Sequence, residues 1–318
     1  AASLQALEDG QTHYVDVPGI GELRAALAEA MTGLGLAGYS ADHMLVTAGI
    51  QESRFLTIQK IGESFGRIGL PAVVHPGAHK AAGTRALTID TLAVNQDDYL
   101  PSLDAMRAAL EDGCRLLFLE SPSRLSGAAY SAGDVAAIAA LLEEFDAGAI
   151  WDQGLAPWVE GYVSLGARPG MVDRVAVIGE AWPGQGLESW AIAYIGAKAD
   201  WFEPMRSQKQ IMAICTSTAS QYAALKAAER YAAHHEEQVA ALAGIRQDAA
   251  ARAEAAGLEP VPGDAVSILA LRNATGEIWG KLEGADYRVA AGQDFGAPGV
   301  MRLATGSHEA LSQALSTL

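Results

Sequence analysis

Three ionisable side chains stand where a pocket could be built. Asp152 closes the apolar run Ala149–Asp152, which reads as a buried strand, and α/β sheets place ligand-binding groups at the carboxyl ends of such strands. Arg124 follows the apolar run Leu116–Glu120, and Glu180 follows a third run, Arg174–Gly179. Burial raises a carboxyl pKa unless a cation pairs with it, and Arg124, at the end of the neighbouring strand, is the candidate cation for Asp152. Two readings stay open. The pair is structural, or Asp152, Arg124 and Glu180 form an anion-binding or acid/base site, since ionisable groups converging on one pocket are costly without pairing or function. Trp182, with Trp151, Trp158 and Trp190, is core packing or the wall of a site for a flat ligand. Cys114 and Cys215 lie far apart with no zinc-ligand spacing, Cys215 reads as a structural thiol, and no metal site is expected. His234 and His235 are expected on a solvated helix face.

Short apolar strands alternating with amphipathic helices must position these groups, the pattern of an α/β sheet. The expected strands are Leu45–Ala48, Ala72–His75, Ala86–Ile89, Leu116–Glu120, Ala149–Asp152, Arg174–Gly179 and Trp190–Gly196. Residues Gly21–Met31 and Leu103–Leu110 read as surface helices. Another helix is capped by Ser131 with Asp134 three residues on, and Val135, Ile138, Leu142 and Phe145 share its apolar face. Residues Ser220–Ala256 are Ala-rich and helical, and strands return at Val266–Leu271, Tyr287–Ala290 and Met301–Ala304. Two domains are expected, a large one over residues 1–225 and a small C-terminal one over residues 226–318.

The 318 residues are half hydrophobic, enough to bury a large core. A net charge of −16, with Lys and Arg together only 22 and no basic run, argues against nucleic acid or an anionic membrane as partner. No apolar run approaches the length of a membrane span, and the sparse cysteines fit a reduced, cytoplasmic setting.

The stretch Val177–Tyr194 resembles the Schiff-base segment of class I/II aminotransferases, the fold-type-I enzymes dependent on pyridoxal phosphate (PLP). Its frame is strand, Gly-rich turn ending in Gly186-Leu187, strand. On that pattern the family's Ser is Glu180, its imine-forming Lys is Pro183, and its phosphate-binding Arg is Ala191. Tyr14, Gly19, Leu23 and Arg24 are similar to the family's Tyr-x4-Gly-x3-Leu-Arg, whose Tyr crosses a dimer interface to a neighbouring phosphate. Thr47–Glu52 resembles the strand-to-helix turn that cradles the phosphate, with Gly49, Ile50 and Gln51 as backbone donors, as a helix N-terminus allows. Ser121–Gly127 stands at the family's Asn-Pro-x-Asn-Pro-Thr-Gly, so its second Asn is Arg124. Asp152 stands at the Asp that pairs with the pyridinium nitrogen, and Leu155 at the Tyr beside the ring hydroxyl. The ring-stacking aromatic is replaced, with only His79 nearby. Phe295, Gly296 and Arg302 match the C-terminal signature, whose Arg grips the substrate carboxylate.

The resemblance implies an aminotransferase-like large domain with a mainly parallel sheet, a smaller α+β C-terminal domain, and a homodimer. Only an amine forms the imine on PLP, and Pro183 has none to offer. The leading expectation is therefore a chain without cofactor that binds an amino-acid-like or carboxylate ligand, with Asp152, Glu180 and Arg124 as catalytic candidates and Arg302 and Trp182 as substrate contacts, or runs a cofactor-independent reaction. Two alternatives are an active PLP-dependent aminotransferase with an unusual site, using Lys198 or a non-covalently held cofactor, and an inactive subunit of a hetero-oligomer.

Overall fold

The computed structural model describes residues 2–316 apart from 86, 286, 288 and 307. The first half of the chain runs α1 (Ala2–Glu8), α2 (Gly21–Gly33), β1 (Met44–Ala48), α3 (Ile50–Phe65), β2 (Arg67–Pro71), α4 (Pro76–Gly83), β3 (Thr88–Leu92), α5 (Leu103–Glu111), β4 (Leu116–Glu120), α6 (Ala132–Glu144) and β5 (Gly148–Asp152). The second half adds β6 (Val175–Glu180), β7 (Ile192–Gly196), α7 (Ala199–Ala213), α8 (Thr218–Ala255), β8 (Glu259–Pro260), β9 (Ile268–Arg272), α9 (Gly276–Gly284), β10 (Ala290–Ala291), β11 (Met301–Ala304) and α10 (His308–Leu315).

The main sheet has seven strands in the order β1-β7-β6-β5-β4-β2-β3. Only β7 runs antiparallel to its neighbours, β1 and β6. Its central strands β4 and β5 are buried at every position, which is why they read as unbroken apolar runs. One face packs on Leu23, Leu27 and Met31 of α2, Met106 and Leu110 of α5, and Val135, Ile138 and Leu142 of α6. The other packs on Leu56, Ile58 and Ile61 of α3, Ala78 and Ala81 of α4, and Phe202 and Met205 of α7. Helices on both faces of a mostly parallel sheet leave the carboxyl ends of β4, β5 and β6 open, and there Glu120, Asp152 and Glu180 stand.

A second, antiparallel sheet has the order β10-β11-β9-β8. Leu269, Leu271, Met301 and Leu303 from it pack on Ala249 and Ala253 of α8, Leu282 of α9 and Leu311 of α10. The 38 residues of α8 therefore serve two cores, since Ala224 near its start belongs to the core of the main sheet. At 1.5 Å per residue such a helix is about 57 Å long.

Strands β4 and β11 occupy the residues expected of them, and β1, β5, β6, β7 and β9 lie within two residues of expectation. Ser131 caps α6 in a reciprocal capping box with Asp134. The strand expected at Ala72–His75 is instead loop; the actual strand is β2, five residues earlier, whose alternation is interrupted by Gly69 and ended by Pro71. A Cβ on Gly69 would lie 2.7 Å from Leu117, so the neighbouring strand's side chain needs that bare position. Strand β3 begins at Thr88, later than expected, and β10 covers only Ala290 and Ala291. Ala86 and Arg288, inside those two expected strands, lie outside the described residues.

Candidate functional site

The centre of the site is Asp152, fully buried at the end of β5. Its Oδ2 lies 2.7 Å from Nη2 of Arg54 and accepts a 2.9 Å bond from Nε. Its Oδ1 accepts from Nη2 of Arg124 at 3.0 Å and from the Gly154 backbone N–H at 3.0 Å. Burial alone drives a carboxyl pKa up, but Arg124 and Arg54 outweigh it and hold Asp152 well below the usual carboxylate range. Arg124 also reaches Oε1 of Glu180 through Nη1 at 3.1 Å. Burial opposes the charge on Arg124, yet Asp152 and Glu180 raise its pKa further above that of a free arginine. The three candidates Asp152, Arg124 and Glu180 are thus in direct contact.

Arg54, Glu120 and His75 complete the cluster and were not singled out from the sequence. Arg54 lies on the second turn of α3 and is 2% exposed, its charge met by Asp152 and its Nη1 donating to Oε1 of Gln51 at 3.4 Å. Glu120, at the end of β4, accepts the backbone N–H groups of His75 at 3.0 Å and Arg124 at 3.2 Å. Burial first, and Asp152 second, push its carboxyl up to about 7. His75 accepts the Gly77 N–H on Nδ1 at 3.0 Å as the cap of α4, and its ring meets Phe295 edge-on at 5.8 Å. Burial, then Arg54 and Arg124, push its imidazole down to about 3. His79, the expected aromatic substitute, is exposed on α4 instead. The start of α4 at Pro76 gives the inward place to His75.

Arg302 on β11 comes to the same cluster. Its Nη1 donates to the Arg124 carbonyl at 2.8 Å, and its guanidinium lies 5.4 Å from the Phe295 ring centroid. Burial, then the nearby Arg124, lower its pKa from the arginine norm.

Gly49 adopts φ 82°, a conformation that favours glycine, as the N-cap of α3. An added Cβ there would lie 3.4 Å from Cβ of Ala191. Between them opens a cavity of about 310 Å³, lined by Gly49, Ile50, Glu180, Trp182, Pro183 and Ala191 among others. The backbone N–H groups of Ile50 and Gln51 make no hydrogen bond recorded among the described residues and face no helical partner, as first-turn donors do. The Gln51 side chain is committed elsewhere, donating to the Gly77 carbonyl at 3.1 Å. Trp182 is 6% exposed and takes φ 47°, a strained conformation for a large residue. It also walls a second cavity of about 780 Å³, which reaches Tyr162, Tyr194, Tyr231 and His235. Trp151 and Trp158 are buried and Trp190 is exposed.

His234 is solvated as expected, but His235 is not, being stacked on Tyr231 at 4.4 Å and tilted against Trp158 at 5.2 Å. Tyr14 stands away from the Asp152 cluster, 78% exposed, in a surface cleft with Cys215 and Thr218. Lys198 follows β7, whose antiparallel direction carries it to the amino ends of the parallel strands, and it pairs there with Asp173 at 3.1 Å. Lys60, Lys226 and Lys281 pair with surface glutamates, Lys80 is exposed, and buried Lys209 is 2.7 Å from Glu52. None of the six lines either of the two cavities beside Pro183.

A family model for class I and II aminotransferases matches residues 1–318. An aspartate/prephenate aminotransferase of Thermus thermophilus is 26% identical over 231 residues, 71% of this chain and 59% of its own length. A putative aminotransferase of Bacillus subtilis is 24% identical over 231 residues, again 71% of this chain and 59% of its own. The chain thus matches somewhat under two thirds of the length of these curated relatives. The aspartate aminotransferase of Thermus thermophilus solved with maleate superimposes with a TM-score of 0.89 at 24% identity, covering 99% of this chain and 85% of that one. An aromatic aminotransferase of Pyrococcus horikoshii gives 0.89 at 21%, covering 99% and 89%. These matches correct the expectation of a chain without cofactor, because such aminotransferases depend on PLP and the likeness runs the length of the chain. Among the described residues no helix is long and apolar enough to cross a membrane.

Proposed function

Because the chain belongs to the class I and II aminotransferase family, we propose that it handles an amino-acid-like or 2-oxo-acid substrate with PLP in a site of unusual construction. The observation that carries this reading is the helix start at Gly49 and Ile50, which lines a cavity at the Pro183 turn with the Ile50 N–H uncommitted among the described residues. Such a helix start is a ready receptor for a phosphate group.

The fit to PLP divides along the site. The phosphate end offers backbone donors at the start of α3, with the carboxylates of Glu180 and Glu188 lining the same cavity. The ring end does not fit as it stands, because both oxygens of Asp152 are already engaged by guanidinium groups. The family's covalent attachment does not fit either, since Pro183 carries no amine. The cofactor in this reading is held without an imine to the chain.

The chain's own groups have separable tasks. Asp152 is a permanent buried anion. Arg302, with one Nη spent on the Arg124 carbonyl, keeps nitrogens for a substrate carboxylate. Glu180, 35% exposed beside Arg124, is a carboxylate that reaches both cavity and solvent and can meet a cationic substrate group. Trp182 forms the apolar wall between the two cavities. The division near residue 225, a homodimer with Tyr14 turned toward its partner, and a cytoplasmic setting belong to the same proposal. Relatives of this kind are typically homodimers.

Equilibrium dialysis with PLP, followed by borohydride treatment and peptide mass mapping, tests it. Saturable binding that reverses on dialysis, with no reduced adduct on a lysine, is expected. Absence of saturable binding overturns the cofactor assignment, and a reduced lysine adduct overturns the non-covalent one.

A further inference from the structure

The larger cavity, about 780 Å³, lies between α2 and the first half of α8 and shares with the smaller one only Glu180, Ala181, Trp182 and Pro183. Its size suits a small molecule, and the PLP reading makes no use of it. Rings form much of its wall, from Trp182, Tyr162, Tyr194, Tyr231 and His235. Several are tied down at the polar end. Tyr162 accepts the Trp151 Nε1–H at 2.6 Å and donates to the Ser121 carbonyl at 2.8 Å. Tyr194 accepts the Gln153 amide at 3.1 Å. His235 donates from Nε2 to the Pro157 carbonyl at 2.6 Å, with Tyr231 stacked on its ring. Rings held in this way are preformed, and the face of an aromatic ring is its negative part.

The charges on the lining share that sign. Glu29, Glu180 and Glu236 are its ionisable acids, and no lysine or arginine among the described residues lines the cavity. Glu29 and Glu236 are exposed, and Glu180 meets Arg124 through Oε1 alone. An anion entering here meets three carboxylates and no cation. An uncharged apolar body suits the rings but leaves the carboxylates unused. A cation with an aromatic body suits both, and the net charge of −16 draws it in from a distance. We propose that this cavity is a binding site for an organic cation, an alkylated or protonated amine on an aromatic body, held by ring faces and by Glu180. The site stands apart from the PLP reading and does not require it.

Phenethyltrimethylammonium tests it, because it carries a fixed charge and has no N–H with which to form an imine on PLP. In calorimetric titration of the full chain it is expected to bind saturably, about tenfold tighter than phenylbutanol or phenylbutyrate, its neutral and anionic counterparts of similar size. Tyr231→Leu and Glu180→Gln are each expected to weaken it about fivefold, and Glu22→Gln, an exposed change on α2 outside the cavity, to leave it unaltered. Equal affinity for the three probes, or no saturable binding of the cation, overturns the inference. So does an effect of Glu22→Gln as large as that of Glu180→Gln, which reduces the site to general charge attraction. The ranking of probes on the unaltered chain decides the matter even where a variant fails to fold. The PLP reading survives each of these failures, since its own test is dialysis with PLP.

Discussion

Arg54 grips Asp152 by one oxygen only, Nη2 at 2.7 Å and Nε at 2.9 Å from Oδ2, and both side chains are almost wholly shielded from water. Removing Arg54 takes a charge-assisted contact from Asp152 while Arg124 stays on Oδ1, which costs about 1.5–3 kcal/mol. Arg54→Met is expected to lose stability in that range by urea unfolding. Arg54→Met combined with Asp152→Asn is expected to recover none of it, because the second change takes from buried Arg124 its partner on β5.

In the proposed function Arg302 is the group that takes a substrate carboxylate. Loss of a charge-assisted hydrogen bond costs about 1.5–3 kcal/mol, so Arg302→Ala is expected to weaken a 2-oxo-acid ligand by roughly ten- to a hundredfold in calorimetric titration, with the fold retained by circular dichroism. Arg302→Lys is expected to recover only part of that affinity, because an ammonium has no planar fork.

Glu120 and His75 pull the pH dependence of stability in opposite directions. The carboxyl of Glu120 is raised from 4.5 to about 7 in the fold, so its contribution is fully present below pH 4.5 and lost as pH rises through 7. The imidazole of His75 is lowered from 6.5 to about 3, so its contribution is present above pH 6.5 and lost as pH falls toward 3. Between pH 4.5 and 6.5 the two slopes oppose one another. Glu120→Gln is expected to remove the loss on the alkaline side, and His75→Asn, which keeps an acceptor for the Gly77 N–H, to remove the loss on the acid side. Urea midpoints across pH 4–8 check both; parallel curves for all three proteins count against this assignment.

Ser131 caps α6 through a bond to the Asp134 N–H at 3.1 Å, and Asp134 answers on the Ser131 N–H at 3.2 Å. Ser131→Ala is expected to cost about 1 kcal/mol of stability, measured by the same unfolding midpoints, with ligand affinity unchanged.

That cap, and strands β4, β5 and β11, were legible because each obeys a local rule: a reciprocal box, or an apolar run of strand length. Asp152 and Arg124 were legible as a pair because strand ends of neighbouring runs must meet. Helix α3 was not recognised beyond its start, since its inner face buries Ser53, Arg54, Thr57 and Gln59 along with its apolar side chains, blurring the periodic stripe. Arg54 was missed with it. One signal was available, a cation three residues after Gln51, one turn inside a helix start. The error at Ala72–His75 had a different origin. A strand holding Gly69 and Pro71 looks weaker in sequence than the Val73-Val74 loop that follows it, and only the packing of Leu117 over Gly69 reverses the order. That the Arg124 guanidinium packs against the bare Cα of Gly154 appears only in three dimensions.

The 38-residue span of α8 has a thermal signature. A single beam that contributes Ala224 to one core and Ala249 and Ala253 to another cannot fray at one end without loosening the packing at the other. Scanning calorimetry should record one endotherm for the whole chain, not a separate melting of the C-terminal sheet.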